Sequence, residues 1–204
     1  MSLIVLVGVL SCSPAPVRPS LNAEYDPASG RLRLLSHDAD GDGTLDTFMH
    51  MDGTRLIRIE HDPDGDGVIN RWDFFTEERT VEKVGLSSAD DGIMDWQAFY
   101  APDGSLTRLA ISTKRNGTFD RVEVYQNGVL VRTEEDTNGD GRTDKWDTYR
   151  PLPDVGAGEL PYAITSTAVD ESGSGEPERR FIFGPDGSIA RTEMRPNIGA
   201  DLFQ

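Results

Sequence analysis

The sequence predicts an all-β fold, an antiparallel meander of about six to seven β-hairpin repeats of 24–25 residues in an extended or curled sheet. Three observations indicate this fold. Short segments alternate apolar and polar residues, as half-buried strands do. Dipeptides such as Asp52-Gly53 and Asn127-Gly128 separate pairs of these segments, and they tolerate the positive φ of a tight hairpin turn. The whole pattern recurs at a nearly constant interval, which is typical of a repeat architecture.

Each repeat is defined by the acidic or amide residue that closes an Asp/Gly-rich segment. The first five of these anchors are 24 or 25 residues apart, and the sixth follows after 34. The anchors are Asp46, Asn70, Asp95, Asp120, Asp144 and Glu178. A Met or an aromatic residue lies five positions after each one, namely Met51, Phe75, Tyr100, Tyr125, Tyr149 and Phe183. Each repeat is therefore predicted to be a strand, a tight turn, a returning strand and an acidic loop.

The individual copies differ in clarity. An earlier hairpin is predicted around Tyr25 and residues 30–34. In the second copy, residues 76–79 could form a helical turn, but the kept spacing favours a hairpin. Residues 150–161 interrupt the rhythm, either as a functional loop or as a flexible insertion. A β-propeller-like closure is the alternative fold, although its blades need about 40 or more residues.

The predicted strands have two different faces. One face carries mostly apolar side chains, and the other carries an acidic residue before the strand ends on its aromatic. The first set is Phe48, Trp72, Phe74, Phe99, Val122, Val124, Trp146 and Ile182, and the second is Asp73, Glu123 and Asp147. Packing on the sheet is the favoured role for Trp72, Trp96 and Trp146, with stacking on sugars as the alternative, because the tryptophans recur at repeat spacing.

Composition limits the classes of function. The 204 residues carry a formal net charge of −16, which argues against a nucleic-acid partner because phosphates would be repelled. The single cysteine, Cys12, excludes a disulfide framework and a cysteine zinc cluster.

The hairpin rhythm with its aromatic and Asn-Gly punctuation resembles the membrane occupation and recognition nexus repeats and their bacterial relatives. The resemblance covers residues 22–196, and the glycine-rich core of that repeat family is only partly present. Hairpins of this kind cannot bury an apolar face alone, so we expect them to pair sideways in a strongly twisted antiparallel meander.

Three acidic loops, residues 38–46, 62–70 and 136–144, share one pattern of Asp and Gly. They resemble the calcium loops of EF-hands, dockerins and thrombospondin type 3 repeats, where ligands come from positions 1, 3, 5, 7, 9 and 12. The resemblance implies the following ligands. The first loop offers Asp38, Asp40, Asp42, the Thr44 carbonyl and Asp46; the second offers Asp62, Asp64, Asp66, the Val68 carbonyl, Asn70 and Asp73; the fifth offers Asp136, Asn138, Asp140, the Arg142 carbonyl, Asp144 and Asp147.

Four of the six loops depart from the full ligand pattern. The first loop has Met49 at position 12 and lacks that ligand. The third loop, ending at Asp95, is degenerate, and the fourth carries Lys114 and Arg115 where ligands would lie. The sixth loop, residues 170–178, keeps oxygen atoms but few charges, and we expect at most a weak site there.

Electrostatics favours a cation in the full loops. Two unit charges about 4 Å apart repel by roughly 4 kcal/mol at an effective dielectric near 20. All-oxygen ligands are hard, which favours Ca²⁺ over zinc or copper, and Mg²⁺ resists dehydration. His37 and His61 precede successive loops and could form a zinc pair, but equivalent positions in a repeat explain them more simply.

The N-terminal residues indicate a targeting signal. Residues 2–11 form a short apolar run that ends at Ser11-Cys12, and this resembles the lipobox of bacterial lipoproteins. The resemblance implies a signal peptide over residues 1–11, lipidation of Cys12, a tether over residues 12–21 and an outer-membrane or periplasm-facing location. No Lys or Arg precedes the apolar run, which departs from the usual signal. Residues 197–204 are predicted to be a tail.

The leading hypothesis is a non-catalytic, calcium-stabilised surface lipoprotein that presents a rigid sheet to a protein or cell-envelope partner. Its membrane contact would be through the lipid alone. A metal-independent interaction scaffold is the second hypothesis. A hydrolase of phosphoesters or glycans is the third: Asp40-Gly-Asp42-Gly-Thr44 resembles the nucleophile motif of haloacid-dehalogenase phosphatases, but no α/β pattern surrounds it.

Overall fold

A computed structural model describes residues 21–152, 161–195 and 198. Every regular element in this part of the chain is a β-strand, which confirms the predicted all-β class. The strands are β1 (Leu21–Tyr25), β2 (Leu32–His37), β3 (Thr47–Asp52), β4 (Arg55–His61), β5 (Arg71–Phe75), β6 (Val81–Leu86), β7 (Trp96–Tyr100), β8 (Leu106–Ile111), β9 (Arg121–Gln126), β10 (Val129–Glu135), β11 (Lys145–Pro151), β12 (Tyr162–Val169), β13 (Arg179–Phe183) and β14 (Ile189–Met194).

The fourteen strands form one open antiparallel sheet in sequence order. They make seven hairpins, from β1–β2 to β13–β14, of which all but β11–β12 have a tight turn, and six nine-residue loops join these hairpins. The alternative of a propeller-like closure is wrong, because β1 and β14 lie at opposite edges and do not pair with each other. The predicted signal peptide, Cys12, most of the tether, residues 153–160 and all of the tail except Ile198 lie outside the described residues. No helix among the described residues is long and apolar enough to cross a bilayer.

Turn chemistry explains the hairpins. In the β9–β10 turn, Asn127 and Gly128 both have positive φ, 50° and 76°, which is the conformation that matches the twist of the flanking strands. The uncertain second copy is a hairpin too, closed by the Thr76 N–H donating to the Thr80 carbonyl at 2.9 Å. The 150–161 interruption takes the place of the β11–β12 turn. It lengthens that hairpin, since Arg150 and Pro151 still pair with β12.

Each hairpin contains a register shift just before the recurring Met or aromatic residue. The shift occurs in all seven hairpin pairs and in none of the six pairs joined by acidic loops. Such bulges bend a strand and increase its twist. The loop-joined pairs keep a regular register, and the successive loops all lie at the same end of the strands.

The register defines two faces. The tryptophan face contains a row of directly opposed residues that runs through Phe48, Glu60, Trp72, Val122 and Trp146. The tyrosine face contains Asp73, Glu123 and Asp147, with Tyr125 donating its hydroxyl to Glu123 at 2.6 Å. Trp96 lies on the tyrosine face, opposite Leu86 and Ile111.

The sheet is a single layer with a very small apolar core. The buried hydrophobic side chains among the described residues are Ala110, Leu130, Trp146 and Ala168, and Ile198 packs against the last two. Cation–π contacts take over part of the packing, with the Lys83 Nζ 4.1 Å from the Phe74 ring centroid and the Arg108 guanidinium 4.9 Å from that of Phe99. The fully buried side chains are mainly polar and include Asp38, Asp62 and Asp95 of the loops. These loop carboxylates are therefore part of the interior of this fold, whereas most of the other loop residues are exposed.

Candidate metal centre

The six loops that join successive hairpins, acidic and degenerate alike, share one backbone conformation of nine residues. They span residues 38–46, 62–70, 87–95, 112–120, 136–144 and 170–178 and are numbered loops 1 to 6. Positions 4 and 6 have positive φ in every loop. Glycine supplies this conformation at position 6 of all six, but position 4 of loops 3 and 4 is Asp90 (56°) and Arg115 (51°). The degenerate loops therefore fold as the acidic ones do.

The position-1 side chain organises each loop from inside. In loop 1, Asp38 accepts the Gly41 N–H at 2.7 Å and the Gly43 N–H at 3.1 Å. Asp62, Asp136 and Asp170 accept the corresponding two N–H groups of loops 2, 5 and 6. In loops 3 and 4 this position is Ser87 and Ser112, whose Oγ atoms accept the position-5 N–H at 3.2 Å. These two serines were not predicted to belong to the loops, although they precede their anchors by the same eight residues.

The anchor at position 9 closes each loop. Its N–H donates to the carbonyl before position 1, as from Asp46 to His37 at 3.1 Å. In loops 1, 3, 4 and 5 its carboxylate also accepts the position-2 N–H, as Asp46 does from Ala39 at 2.8 Å and Asp120 from Thr113 at 2.7 Å. Burial raises the pKa of Asp46, but the hydrogen bonds from Thr47 and Ala39 outweigh it and the pKa is lowered.

Loop 2 differs at this closure because position 2 is Pro63, which has no N–H to donate. The side-chain Oδ1 of its anchor, Asn70, is buried without a hydrogen-bond partner. The Asn70 amide nitrogen donates instead to Asp90 of the next loop.

Hydrogen bonds and packing connect neighbouring loops. The position-1 N–H donates to the preceding anchor carbonyl, as from Asp62 to Asp46 at 2.8 Å and from Asp136 to Asp120 at 2.8 Å. A Cβ at Gly65 would lie 3.3 Å from the Thr44 methyl of loop 1, so the Thr44 side chain lies close to the backbone of loop 2. The six loops form a continuous ladder along one end of the strands. We call this ladder the loop edge, as distinct from the outer strands β1 and β14.

Positions 1 and 5 distinguish two classes of loop. Loops 1, 2 and 5 pair two carboxylates at these positions: Asp38 with Asp42, Asp62 with Asp66, and Asp136 with Asp140. Each of the other loops pairs a hydroxyl with an acceptor: Ser87 Oγ to Asp91 at 3.0 Å, Ser112 Oγ to the Asn116 amide oxygen at 3.1 Å, and Ser174 Oγ to Asp170 at 3.3 Å. A hydroxyl can donate to its partner, whereas two carboxylates repel each other.

The structure brings together three carboxylates in each of two loops. Oxygen atoms of Asp38, Asp40 and Asp42 lie within 4.8 Å of one another, and so do those of Asp62, Asp64 and Asp66. In loop 5, position 3 is Asn138, whose Oδ1 accepts the Asp140 N–H at 2.8 Å. At position 7, Thr44, Val68 and Arg142 donate their N–H groups to the position-5 carboxylate.

The carboxylates predicted at position 12 are not part of these clusters. Asp73 on β5 binds Arg71 at 2.8 Å and His61 at 3.3 Å. Asp147 on β11 binds Lys145 at 3.0 Å and the Thr167 hydroxyl at 2.6 Å. Both lie on the tyrosine face because the strand begins immediately after the anchor, whereas an EF-hand continues as a helix.

Two of the three histidines contact carboxylates. The His50 Nε2 lies 2.7 Å from Glu60, and His61 contacts Asp73. His37 and His61 both lie opposite Thr47, one on each side of it, so a whole strand separates them.

Comparisons with known proteins assign no family. No protein-family model matches the chain, and no curated protein matches it significantly. Among solved structures, a chain in the crystal structure of accessory secretory protein 1, 2 and 3 of Streptococcus pneumoniae is 14% identical, with a TM-score of 0.38. The match covers 52% of this chain and 19% of that one, and a similarity this low carries no argument about function.

Proposed function

We propose that this chain is a non-catalytic, calcium-binding β-repeat protein in which Ca²⁺ stabilises the loop edge. The ions would bind loops 1, 2 and 5 through the carboxylates at positions 1 and 5 and the oxygen at position 3. Their role is structural, since a ligand that binds the folded state alone stabilises that state.

The contrast between the two classes of loop carries this proposal. All six loops share one backbone, yet only loops 1, 2 and 5 carry carboxylates at both position 1 and position 5, and in loops 1 and 2 these lie within 4.8 Å of each other. Two such charges about 4 Å apart repel by roughly 4 kcal/mol at an effective dielectric near 20. Where the second carboxylate is absent, a hydroxyl hydrogen bond fills the same place. A divalent cation is the simplest group that makes the carboxylate pairs favourable.

The donor chemistry selects the ion. Asp and Asn oxygens are hard ligands, which suit Ca²⁺ and Mg²⁺ rather than zinc or copper. Ca²⁺ accepts flexible geometry with six to eight oxygens, whereas Mg²⁺ demands a near-ideal octahedron. A surface loop with three side-chain donors and open positions for water fits Ca²⁺ better.

The proposed setting follows from the resemblance of the N-terminus to a lipoprotein signal. A lipid on Cys12 would hold the sheet at a bacterial membrane, with the protein or cell-envelope partner on the exposed sheet. Calcium would keep the loop edge rigid for that display.

A metal-independent scaffold is the second candidate, and one observation favours it. The position-1 carboxylates of loops 1 and 2 each accept two backbone N–H groups, so part of their charge is already compensated. If this compensation suffices, the loops fold identically without an ion.

Thermal melting with variants distinguishes the two candidates. The triple variant Asp42→Ser, Asp66→Ser and Asp140→Ser installs at position 5 the residue that loop 6 already uses opposite Asp170. The wild type should melt several degrees lower in excess chelator than in Ca²⁺, whereas the triple variant should melt at one temperature in both.

Loop 3 supplies the matched control. Asp91→Ser makes the same substitution in a loop whose position 1 is Ser87, and it should keep the full calcium dependence of the wild type. A wild-type melting temperature that does not respond to chelator would leave the metal-independent scaffold as the function.

A further inference from the structure

The two outer strands of the sheet are unusually exposed. Within the described part of the chain, β1 pairs only with β2 and β14 only with β13. All five residues of β1 are exposed, and so are all residues of β14 except Glu193. Of the large hydrophobic side chains that the structure describes, the four most exposed lie on these strands: Leu21 (62%), Tyr25 (61%), Ile189 (58%) and Met194 (52%). A bare strand edge is a template for pairing with another chain.

We propose that β14 of one molecule pairs antiparallel with β1 of a second copy, so that the sheet continues head to tail. β1 opens a hairpin and β14 closes one. Their junction would therefore repeat the arrangement of β4 beside β5, with the same strand polarity and with both faces of the sheet continuous.

The repeat also fixes the register of the junction. Glu193 lies opposite Arg180 as Glu60 lies opposite Phe48, and both of these partners follow their anchors by two residues. Aligning β14 on β4 and β1 on β5 then places Arg191 opposite Glu24 on the tryptophan face. On the tyrosine face it places Met194 opposite Leu21. One exposed apolar residue of each edge, Leu21 and Met194, is thus covered by the other.

The charged pair at the junction is available for this contact. Glu24 pairs with Arg33 and Arg191 with Glu193, but the Glu24 and Arg191 side chains are 52% and 66% exposed. Each can therefore accept a second partner from the neighbouring copy. Opposite charges placed directly across two strands favour their pairing.

The directions of the backbone N–H groups on β14 and β1 fit the same register. The Arg195 N–H donates inward to Glu178 at 3.0 Å, and N–H groups alternate in direction along an antiparallel strand. The N–H groups of Met194 and Thr192 therefore point to the outer edge of β14.

On β5, the equivalent of β1, the Asn70 carbonyl accepts the Ser87 N–H on the β6 side, and alternation turns the N–H groups of Arg71 and Asp73 to the opposite side. The register shifts align Leu21 and Ala23 with these two residues, so their N–H groups point outward from β1.

Two-fold pairings of like edges fit less well. A β14–β14 pair centred on Thr192 would place Met194 opposite the small Ala190. A β1–β1 pair centred on Ala23 would place Glu24 opposite Asn22, with no cation. The head-to-tail junction matches both the charges and the apolar side chains.

Proline variants of the full chain test the proposal. Ala23→Pro and Thr192→Pro each remove an outward N–H and leave the internal ladder intact, and melting curves check that both variants fold. In sedimentation equilibrium from micromolar to millimolar concentration, the wild type should form progressively larger species. Each variant alone should remain monomeric, and an equimolar mixture should stop at dimers, because one junction can still form.

Every other pattern overturns the proposal. Dimers of Ala23→Pro alone would indicate β14–β14 pairing, dimers of Thr192→Pro alone would indicate β1–β1 pairing, and a monomeric wild type would mean that the edges do not associate.

Charge reversal supplies a second measurement. Glu24→Arg and Arg191→Glu should each weaken association several-fold, and the double variant should restore it. Lack of rescue in the double variant would contradict the register.

Discussion

At the residue scale, the anchor carboxylates perform a structural task that is independent of metal. Asp120 of loop 4 accepts both the N–H and the hydroxyl of Thr113 at 2.7 Å, in a loop that also contains Lys114 and Arg115. Asp95 of loop 3 accepts the same two groups from Ser88. The side chain at position 9 thus caps the start of its own loop, whether or not a cation could bind there.

The pKa of Asp120 makes this capping measurable as a pH dependence. Burial raises its pKa, but the two hydrogen bonds from Thr113 outweigh burial and lower it below the ordinary value of 3.8. A carboxyl with a lower pKa in the folded state stabilises the fold above the unfolded-state pKa, and that contribution is lost as the pH falls through the folded-state pKa.

We therefore expect Asp120→Asn to lower the free energy of unfolding by about 1 kcal/mol at neutral pH. Its unfolding free energy should also fall less steeply than that of the wild type as the pH drops below the ordinary Asp value. Urea unfolding across this pH range measures both effects. Glu78→Gln, on an exposed hairpin turn, removes one carboxylate elsewhere and should follow the wild type. Parallel curves for Asp120→Asn and the wild type would show that the cap contributes nothing.

At the element scale, each loop is specified by backbone conformation more than by charge. Position 4 has positive φ in loops with Gly and in loops with Asp90 or Arg115. A side chain in the left-handed region costs about 1–2 kcal/mol because its Cβ approaches the carbonyl oxygen. Loops 3 and 4 therefore carry local strain that the glycine-containing loops avoid.

Replacing Arg115 with Gly should relieve this strain. We expect Arg115→Gly to raise the free energy of unfolding by up to about 1 kcal/mol, since the flexibility of glycine in the unfolded state offsets part of the gain. Lys114→Gly, one residue earlier and without positive φ, should lower stability instead. Equal effects of the two variants in denaturant unfolding would contradict the conformational explanation.

The elements show which features were predictable from sequence. The hairpins were, because spacing and turn dipeptides such as Asn127-Gly128 are local signals. Loops 3 and 4 were predictable only as degenerate copies, because Ser87 and Ser112 fill position 1 without charge and interrupt the acidic pattern. The pairing of Asp73 with Arg71 and of Asp147 with Lys145 was not predictable either, since it depends on which sheet face the strand presents after its anchor.

At the scale of the whole molecule, the open single-layer sheet places unusual weight on the loop edge. Four buried hydrophobic side chains among the described residues make a small core. The buried carboxylates and hydroxyls of the loops, with the hydrogen bonds between them, supply much of the remaining order. Closure could not be predicted from the repeat, because it depends on the twist that accumulates over fourteen strands. Because buried loop carboxylates form part of the interior, the stability of the fold depends on the groups that compensate their charge.

The most direct test of this account is a calorimetric titration of chelator-treated protein with Ca²⁺. We expect three ions per chain for the wild type, one for each of loops 1, 2 and 5, two for Asp66→Ser, and three for the loop 3 variant Asp91→Ser. Saturable binding that loses one ion in Asp66→Ser alone would support calcium as the ion of the loop edge. The absence of saturable heat in the wild type, or the same stoichiometry in wild type and Asp66→Ser, would contradict it.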